Sequence, residues 1–373
     1  MEEKTFGNYQ KKYQKMITII FPYRDRDLIR IKKSLDSLKN QTNQNFKVLF
    51  VDYGSKIQFS NQVRSLVDSY SFTEYFYSYN SKQPWSRSKA INVGLKLIQT
   101  PFVFIADIDL IFRNDFIDIL FKLQNPKKAY YFKVGFLSEE ETDLTKDFLD
   151  YQISFSSGVG AQGLSMFPMK EINDVQAFDE FLHFWGAEDN DIHCRLIRAG
   201  IESVFYDKEI MLLHQWHESY RKSERNTLTK ELQLKGVVKL NQQHLIDSRN
   251  NEVIKVNSEN WGMPISEKDY YELENYDSSI ILTNKIEVVN HFLFVELPRY
   301  EKRILSIQFV EDPFQSTLKY KVKKIVGKTV PKYYSLKEIN DKLLLHIISF
   351  YHVFPYSYEI SGDLKSINFR IKK

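Results

Sequence analysis

Short apolar runs and amphipathic segments alternate over the first 110 residues. The runs are rich in β-branched and aromatic residues, which predicts buried strands. They cover residues 17–21, 46–51, 73–79 and 102–106. Between them, apolar residues recur every three to four positions, which predicts helices at 27–40, 61–70 and 87–98. This alternation predicts an α/β fold with a mixed, mostly parallel sheet flanked by helices, in which ligands bind beyond the carboxyl ends of the strands.

The pattern is less regular after residue 130. A helix is predicted at 189–199, with Gly200 as its stop. From about residue 240 the chain changes character, and short strands are predicted at 280–282, 285–289 and 292–297. We therefore expect one domain over residues 1–240 and a smaller accessory region, rich in short strands, over 241–373.

Composition narrows the class of protein. The single cysteine, Cys194, excludes an intramolecular disulfide and a multi-cysteine zinc site, and it favours a reducing compartment. The N-terminal 16 residues lack the apolar core of a signal peptide, and no apolar run approaches the ~20 residues of a spanning helix. With 52 basic and 48 acidic residues, the charge does not indicate nucleic-acid binding. We expect a cytoplasmic protein without a nucleic-acid partner.

Two carboxylates, Asp107 and Asp109, follow the apolar run at 102–106. Paired carboxylates at a strand end suit Mg²⁺ or Mn²⁺, and such a cation can bridge a diphosphate. A solvated turn after the strand is the alternative.

A second acidic motif opens the helix predicted at 189–199. Trp185 and Gly186 precede Glu188, Asp189 and Asp191. A large aromatic side chain beside a glycine suits a sugar ring, and Asp189 or Glu188 could accept a proton from an attacking hydroxyl. The alternative is that acidic side chains in a first turn complement the helix dipole.

Histidine and basic residues complete the set of candidates. His214 and His217 follow an apolar run at a spacing that a metal site allows, although a core histidine fits as well. Arg24 and Arg26 lie just past the first strand and suit phosphate contacts. Arg87 and Lys89 begin a predicted helix, where a solvated face is the alternative.

Taken together, these segments resemble the inverting β-1,4-galactosyltransferases and the related chondroitin-type polymerases, within the family 2-like glycosyltransferases of the GT-A fold. The resemblance covers about residues 17–217. Residues 22–26, Pro-Tyr-Arg-Asp-Arg, resemble the family's Pro-Phe-Arg-Asn-Arg, and residues 107–111 resemble its Asp-Val-Asp-Leu-Ile. Residues 85–94 and 185–191 resemble its Phe-Asn-Arg-Ala-Lys and Trp-Gly-Gly-Glu-Asp motifs. Met211 and His214 match its metal-binding Met-x-x-His.

The resemblance implies a role for each matching residue. Asp109 and His214 would bind Mn²⁺ or Mg²⁺, with Met211 as a third ligand. Asp189 would be the catalytic base, and Glu188 would orient a substrate. The donor UDP-sugar would be held by ten residues: Pro22, Tyr23, Arg24, Arg26, Asp52, Arg87, Lys89, Asp107, Trp185 and Gly186. Ala187 replaces a glycine of the motif, which predicts an added methyl near the sugar pocket.

The implied activity is metal-dependent, inverting transfer of a hexose or N-acetylhexosamine from a UDP-sugar to a glycan or lipid-linked glycan, in bacterial surface polysaccharide synthesis. A retaining transferase on the same fold and a binding module without catalysis are the alternatives. Residues 319–332 carry six lysines and no acid. Anionic lipid at the inner face of the plasma membrane could contact this stretch, or it could be an ordinary solvated segment.

Overall fold

The computed structural model describes residues 16–218, 225–276, 278–301 and 303–373. The polar segment 1–15 lies outside the described residues. The chain divides into two compact units. The first holds residues 16–81, 85–218 and 238–264 among those described, and the second holds 82–84, 225–237 and the described residues from 265 onwards.

The first unit contains eleven strands, eight α-helices and one short 3-10 helix (Phe148–Asp150) among the described residues. The strands are β1 (Ile17–Tyr23), β2 (Phe46–Asp52), β3 (Thr73–Tyr77), β4 (Phe102–Ile105), β5 (Leu110–Phe112), β6 (Lys128–Phe132), β7 (Val134–Phe136), β8 (Phe155–Ser156), β9 (Ser165–Pro168), β10 (Glu202–Tyr206) and β11 (Leu212–His214). The helices are α1 (Leu28–Lys39), α2 (Ile57–Val67), α3 (Arg87–Leu97), α4 (Phe116–Leu123), α5 (Glu139–Asp143), α6 (Met169–Asp174), α7 (Glu188–Arg198) and α8 (Val237–Asn250).

A seven-stranded sheet with the order β10-β6-β9-β4-β1-β2-β3 forms the centre of this unit. The pairs among β1, β2, β3 and β4 are parallel, whereas β9 runs antiparallel to both of its neighbours. The expected α/β architecture, a mixed and mostly parallel sheet flanked by helices, is therefore confirmed. A smaller sheet with the order β5-β11-β7-β8 lies in the same unit.

Alternation along β1 explains why helices cover both faces of the sheet. Ile19 and Phe21 pack into a core with α1, α2 and α4, whereas Ile20 packs into a second core with α3, α6 and α7. Successive side chains of a strand point to opposite faces, so an unbroken apolar run requires an apolar layer on each side.

The second unit is a mixed α/β structure. Its strands are β12 (Ile280–Thr283), β13 (Ile304–Val310), β14 (Tyr356–Ile360) and β15 (Ser366–Lys372), in the order β12-β13-β15-β14. Its helices are α9 (Glu267–Glu274), α10 (Ile286–His291), a π-helical segment (Phe292–Glu296), α11 (Leu297–Arg299), α12 (Leu318–Ile325) and α13 (Leu336–Phe350).

The predicted strands at 285–289 and 292–297 are wrong, because the chain is helical there. The buried side chains of this segment, Val289, Phe292, Leu293 and Leu297, are spaced at threes and fours. That is the period of a helix, and burial on one helical face overrides the β propensity of the segment. The strand predicted at 280–282 is confirmed as β12.

The border between the units differs from the expected division at residue 240. Residues 238–264 belong to the first unit, so the expected border falls inside α8. Among the described residues, no helix has both the length and the apolar character to cross a membrane.

Candidate active site

The carboxyl ends of β1, β2 and β4 place several predicted site residues at one edge of the sheet. Tyr23 pairs with Asp52, and Ile20 pairs with Ile105. Two residues beyond Ile105 the chain reaches Asp107. Parallel strands end at a common edge, which is where α/β sheets bind ligands.

Arg24 is held at this edge by backbone carbonyls. Its Nε donates to the carbonyl oxygen of Tyr53 at 2.6 Å, and its Nη2 donates to that of Asn80 at 2.5 Å. Its guanidinium carbon lies 5.1 Å from the ring centroid of Tyr53, a cation–π distance. These contacts fix a positive charge beside the ends of β1 and β2.

Tyr23 and Asp52 shape the two turns of this edge. The Tyr23 hydroxyl is buried, donates to the carbonyl oxygen of Arg26 at 2.9 Å, and has its pKa raised to about 12 by burial. Asp52 is fully buried and accepts from the Ser55 amide at 2.7 Å and the Tyr75 hydroxyl at 2.6 Å. Burial raises the pKa of Asp52. Both side chains therefore hold the turns on which Arg24 lies.

The remaining predicted donor-site residues at this edge differ in exposure. Pro22 is buried within β1, whereas Arg26 is exposed. Lys89 is buried in the first turn of α3, and burial lowers its pKa against the attraction of Glu180.

Arg87 connects the two acidic motifs. Its Nη1 donates to Asp189 Oδ1 at 2.7 Å, while its Nε and Nη2 donate to Asp107 Oδ1 at 3.2 and 3.1 Å. Nη2 also donates to the carbonyl oxygen of Gly163 at 3.0 Å. Burial opposes the guanidinium charge, but Asp189, Asp107 and Glu188 together raise the pKa of Arg87. The predicted helix start is thus a shared anchor rather than a solvated face.

Glu188 and Asp189 lie in different surroundings, although they are neighbours in α7. Burial, reinforced by the charge of Asp189, raises the pKa of Glu188 to about 7. Burial also raises the pKa of Asp189, with Arg87 opposing this shift. The Asp189 side chain keeps 27% of its surface exposed. Burial thus raises both pKa values, and Asp189 differs from Glu188 in its direct ion pair with Arg87.

The loop before α7 has a strained backbone. Phe184 and Ala187 have φ of 65° and 78°, in the left-handed region that side chains rarely adopt, and Gly186 between them has φ of 98°. Trp185, half-buried, lies within this turn. Backbone strain of this kind persists only where the surroundings hold it.

The Ala187 methyl, expected near a sugar pocket, has apolar neighbours in the structure. Its side chain is buried in a small apolar cluster with Leu182 and Leu245. Leu245 belongs to α8, and Ala187 therefore contributes to packing between α8 and the loop before α7.

Helix α8 holds the same loop through hydrogen bonds. Asn241, buried at 1% exposure, donates from Nδ2 to the carbonyl oxygens of His183 at 3.0 Å and Trp185 at 3.1 Å. His244 lies 2.8 Å from Asp179. Burial opposes the His244 charge, but the bond to Asp179 raises its pKa. No motif in the sequence marks Asn241, because its partners are backbone atoms.

Asp191 has a structural role instead of a chemical one. Its carboxylate pairs with Arg195 at 2.7 Å, and both side chains are fully buried. Arg195 in turn donates to the carbonyl oxygens of Val175 and Ala177 at 2.9 and 2.6 Å. Of the three acids that open α7, Glu188 and Asp189 are therefore the ones left for chemistry.

A candidate metal cluster forms where β5 and β11 pair. His214 lies opposite Leu110 in the antiparallel ladder, which brings it beside Asp109. His214 Nε2 is 3.5 Å from Asp109 Oδ1, and His217 Nε2 is 3.4 Å from Asp109 Oδ2. One ligand atom from each residue lies within 4.8 Å of the other two.

The donor set of this cluster fits a divalent cation. Asp109 Oδ1 is buried and has no hydrogen-bond partner among the described residues. Such an atom costs free energy unless something compensates for its lost hydration. A carboxylate with two imidazoles is a ligand set that Mn²⁺ accepts, and a cation there would compensate Asp109 Oδ1.

The role of Met211 as a third ligand stays a prediction, because its surroundings are those of a core residue. It is fully buried and belongs to the main hydrophobic core, together with Leu212. His217 occupies the third position of the cluster. The spacing of His214 and His217 was the only sequence signal for this residue.

Gly163 is a further site residue that sequence patterns do not mark. A Cβ at this position would lie 3.0 Å from Asp189 Oδ2. Its carbonyl oxygen also accepts from Arg87. A larger residue at this position would push the Asp189 carboxylate aside by a few tenths of an ångström, whereas glycine leaves the carboxylate in place.

Comparisons with known proteins agree with this architecture. Residues 18–158 match the family model described as glycosyl transferase family 2, and residues 141–218 match that of the N-terminal domain of galactosyltransferase. An uncharacterized glycosyltransferase of Rickettsia bellii is 24% identical over 323 residues, which are 81% of this chain. The match covers 44% of that protein, so the chain spans less than half the length of this relative.

Two solved structures show a more distant similarity to this chain. The mannosyltransferase PcManGT from Pyrobaculum calidifontis, in complex with GDP-Man and Mn²⁺, has a TM-score of 0.39 and 13% identity over 57% of this chain and 64% of that one. S. aureus TarS 1-349 has a TM-score of 0.45 and 13% identity over 93% and 94% of the two chains.

The two consecutive family matches, which together cover residues 18–218, and the Rickettsia bellii relative support a family 2-like glycosyltransferase of the GT-A type.

Proposed function

We propose that this protein catalyses metal-dependent, inverting transfer of a hexose or N-acetylhexosamine from a UDP-sugar to a hydroxyl of a glycan. One observation carries the proposal: Arg87 joins Asp107 to Asp189. Asp107 is two residues from Asp109, which lies in the candidate metal cluster. Arg87 thus connects the candidate base to the acidic motif that contributes to the cation site, although the two are distant in the sequence.

Asp189 is the base in this proposal. Its ion pair with Arg87 favours the ionised carboxylate, which can accept the proton of the attacking hydroxyl. Glu188, with its pKa raised to about 7 by burial, can donate a hydrogen bond that orients a substrate hydroxyl. One base and no covalent intermediate give inversion of the anomeric carbon.

In this proposal the nucleotide part of the donor binds at the carboxyl ends of β1 and β2. Arg24 supplies a fixed positive charge there, and Arg26 is exposed beside it. Arginine suits phosphate because its donors form a planar fork. Pro22, Tyr23 and Asp52 are assigned to shaping this edge.

Asp109, His214 and His217 would hold the cation. When bound, Mn²⁺ or Mg²⁺ supplies Lewis-acid stabilisation of the charge that develops on the departing diphosphate. The protein's own contribution is the buried carboxylate and the two imidazoles that fix the position of the ion. Trp185 and Gly186 are assigned to the sugar, because their loop leads directly into Glu188 and Asp189.

The biological setting is inferred from composition. A single cysteine suits a reducing compartment, which supports a cytoplasmic location. A chain rich in lysine, asparagine, isoleucine, phenylalanine and tyrosine is typical of an AT-rich bacterial genome. A surface polysaccharide, built on a glycan or lipid-linked glycan acceptor, is the product that fits such a source.

Thermal unfolding with candidate donors tests the donor class. UDP-Gal, UDP-GalNAc, UDP-Glc and UDP-GlcNAc would each be added with Mn²⁺ or with EDTA. A ligand that binds only the folded state raises the melting temperature by mass action. We expect at least one UDP-sugar to do so only with Mn²⁺. No stabilisation by any of the four would reject the UDP-sugar assignment.

The product of the reaction separates this proposal from its alternatives. For the identified donor, NMR of the product would show the anomeric configuration. Inversion is expected, whereas retention would mean a retaining transferase. Metal-dependent binding of the donor without hydrolysis or transfer would indicate a binding module.

A further inference from the structure

Helix α12 presents an apolar stripe to solvent. Leu318, Val322 and Ile325 are 79%, 56% and 83% exposed, and Val326, which follows the helix, is 59% exposed. Their spacing of four, three and one places them on one side of the helix. Large apolar side chains that are exposed singly are ordinary, but a contiguous group of this kind marks an interaction surface.

The opposite side of α12 packs against the rest of the second unit. Tyr320 is buried, and its ring makes edge contacts with Phe314 and Tyr333 at centroid distances of 5.7 and 5.6 Å. Tyr320 is about 200° around the helix from Leu318. The stripe therefore points away from the core of its own unit, so it is not an incompletely packed core face.

Lysines surround this stripe. Those of the segment 318–328 are Lys319, Lys321, Lys323, Lys324 and Lys328. Lys319 and Lys321 lie on either side of the apolar stripe, about 100° and 60° from Leu318. In the described part of the chain, none of the five lysines is within ion-pair distance of a carboxylate, in contrast to Lys337, which is 2.7 Å from Asp341. The positive charge of the segment is not neutralised by acidic neighbours.

This combination selects one kind of partner. A polyanion in water would attract the lysines but leave the four apolar side chains hydrated. An anionic bilayer can bind both the apolar side chains and the lysines, because acyl chains cover the former and headgroups pair with the latter.

We propose that α12 and the turn that follows it form a docking surface for membranes that contain anionic lipid. The inference is independent of the proposed transfer reaction, since it uses residues of the second unit alone. It requires no segment to cross the membrane.

Vesicle flotation of the full chain tests the proposal. Phosphatidylcholine vesicles with phosphatidylglycerol are expected to carry the protein upward at low salt, and vesicles of phosphatidylcholine alone are expected to carry much less. Raising the salt should weaken binding to the anionic vesicles, because salt screens charges at the membrane surface. Equal flotation on both vesicles at every salt concentration would contradict the role of the lysines.

Two variants separate the apolar and the charged contributions. Replacing Lys319, Lys321 and Lys328 with glutamine should lower the partition coefficient about 100-fold, at about fivefold for each lysine. The double variant Leu318→Ser and Ile325→Ser should lower it by about tenfold or more for each residue. All five positions are exposed, so the variants should remain folded, which circular dichroism would check.

Matched controls use side chains of similar exposure elsewhere in the second unit. Ile281 and Phe350 are 65% and 64% exposed, and replacing both with serine should leave flotation unchanged. If this control lowers flotation as much as the changes in α12, the docking surface is not at α12. Binding of the chain to RNA or heparin without flotation on anionic vesicles would also overturn the proposal.

Discussion

Arg87 Nη1 lies 2.7 Å from Asp189 Oδ1, although 102 residues separate the two in the sequence. The same guanidinium reaches Asp107, so a single side chain fixes the distance between the base and the Asp-x-Asp motif. The buried position of Arg87 makes this relationship costly to break, because three carboxyl groups depend on its charge.

Replacing Arg87 with methionine should lower both activity and stability. The loss leaves Asp107, Asp189 and Glu188 without their shared cation, so we expect transfer to fall by about 100-fold or more. The free energy of unfolding at neutral pH should fall by about 1–3 kcal/mol, less than for a fully buried pair because the carboxylates are partly exposed. Steady-state kinetics and urea unfolding would measure the two effects.

Arg113 offers a matched control for this change. It pairs with Asp115 at 2.6 Å and with Glu209 at 2.5 Å, and its side chain is about as enclosed as that of Arg87. Arg113→Met should change stability but leave the turnover number of the folded protein intact. Equal loss of turnover in the two variants would mean that Arg87 acts on folding alone.

Removing the carboxylate of Asp189 should stop transfer and spare donor binding. Asp189→Asn keeps the shape of the side chain but removes its capacity to accept a proton, so the rate should drop by about 10²–10⁴. Calorimetry with UDP and Mn²⁺ should give an affinity close to that of the wild type. Asp174→Asn, an exposed change on α6, serves as the control. Wild-type turnover in Asp189→Asn would exclude this residue as the base.

Metal affinity distinguishes His217 from Met211 as the third ligand. His217→Ala should reduce the rise in melting temperature that Mn²⁺ produces, because it removes one of the three clustered donors. Met211→Leu keeps core volume, should cost less than about 1.5 kcal/mol, and should leave the Mn²⁺ effect in place. His291→Ala, at an exposed histidine of the second unit, is the control. The reverse pattern would support the ligand role that the resemblance implies for Met211 and exclude His217.

Glu188 should make stability depend on pH in the metal-free protein. Its pKa rises from an ordinary 4.5 to about 7 on folding, because burial favours the protonated carboxyl. Its contribution to stability is therefore complete below the unfolded pKa and is lost as the pH rises through about 7. Glu188→Gln removes this dependence and should gain roughly 1–3 kcal/mol relative to wild type between pH ~5 and ~8. Chemical unfolding across this range would measure the gain.

The exposed Glu259 provides the control for that experiment, as Glu259→Gln. Its stability curve should run parallel to that of the wild type. A difference between Glu188→Gln and wild type that stays constant with pH would show that Glu188 does not titrate in this range.

Asn241 lies outside the residues that the family models match, and it should affect activity through the loop before α7, which it holds by two hydrogen bonds. Asn241→Leu leaves the carbonyl oxygens of His183 and Trp185 without their donor, at a cost of about 1–3 kcal/mol each. Because a displaced loop moves Asp189, the turnover number should fall about tenfold or more with a smaller change in the Michaelis constant. Gln242→Leu, one residue along and exposed, should leave both unchanged. A loss of stability with full turnover would limit Asn241 to folding.

Local patterns were enough to predict the central sheet. The apolar run at 17–21 predicted β1, and the same logic predicted β2 and β4, because strands buried on both faces are largely apolar. The edge strand β3 is only partly buried and was predicted from its aromatic and β-branched residues. The strands predicted within residues 285–297 were wrong. The β-branched and aromatic residues of this segment favour strands, but its buried positions follow a helical period. Composition and period disagreed there, and tertiary packing decided the outcome.

The candidate site was predictable only where a motif stands on contiguous residues. Asp107, Asp109, Glu188 and Asp189 lie in such motifs. Asn241 and Gly163 act through backbone carbonyls and close approach, which leave no pattern of side chains in the sequence. The apolar surroundings of Ala187 depend on Leu245, which is 58 residues away, so the sequence alone could not reveal this packing.

Release of UDP from a UDP-sugar is the most direct test of the central claim, that a cation held by Asp109, His214 and His217 serves a transfer reaction for which Asp189 is the base. The account predicts that at least one UDP-sugar releases UDP with Mn²⁺ and a glycan acceptor, that EDTA stops the release, and that Asp109→Asn abolishes its rescue by Mn²⁺. Full UDP release in the presence of EDTA, or unchanged dependence on Mn²⁺ in Asp109→Asn, would contradict it.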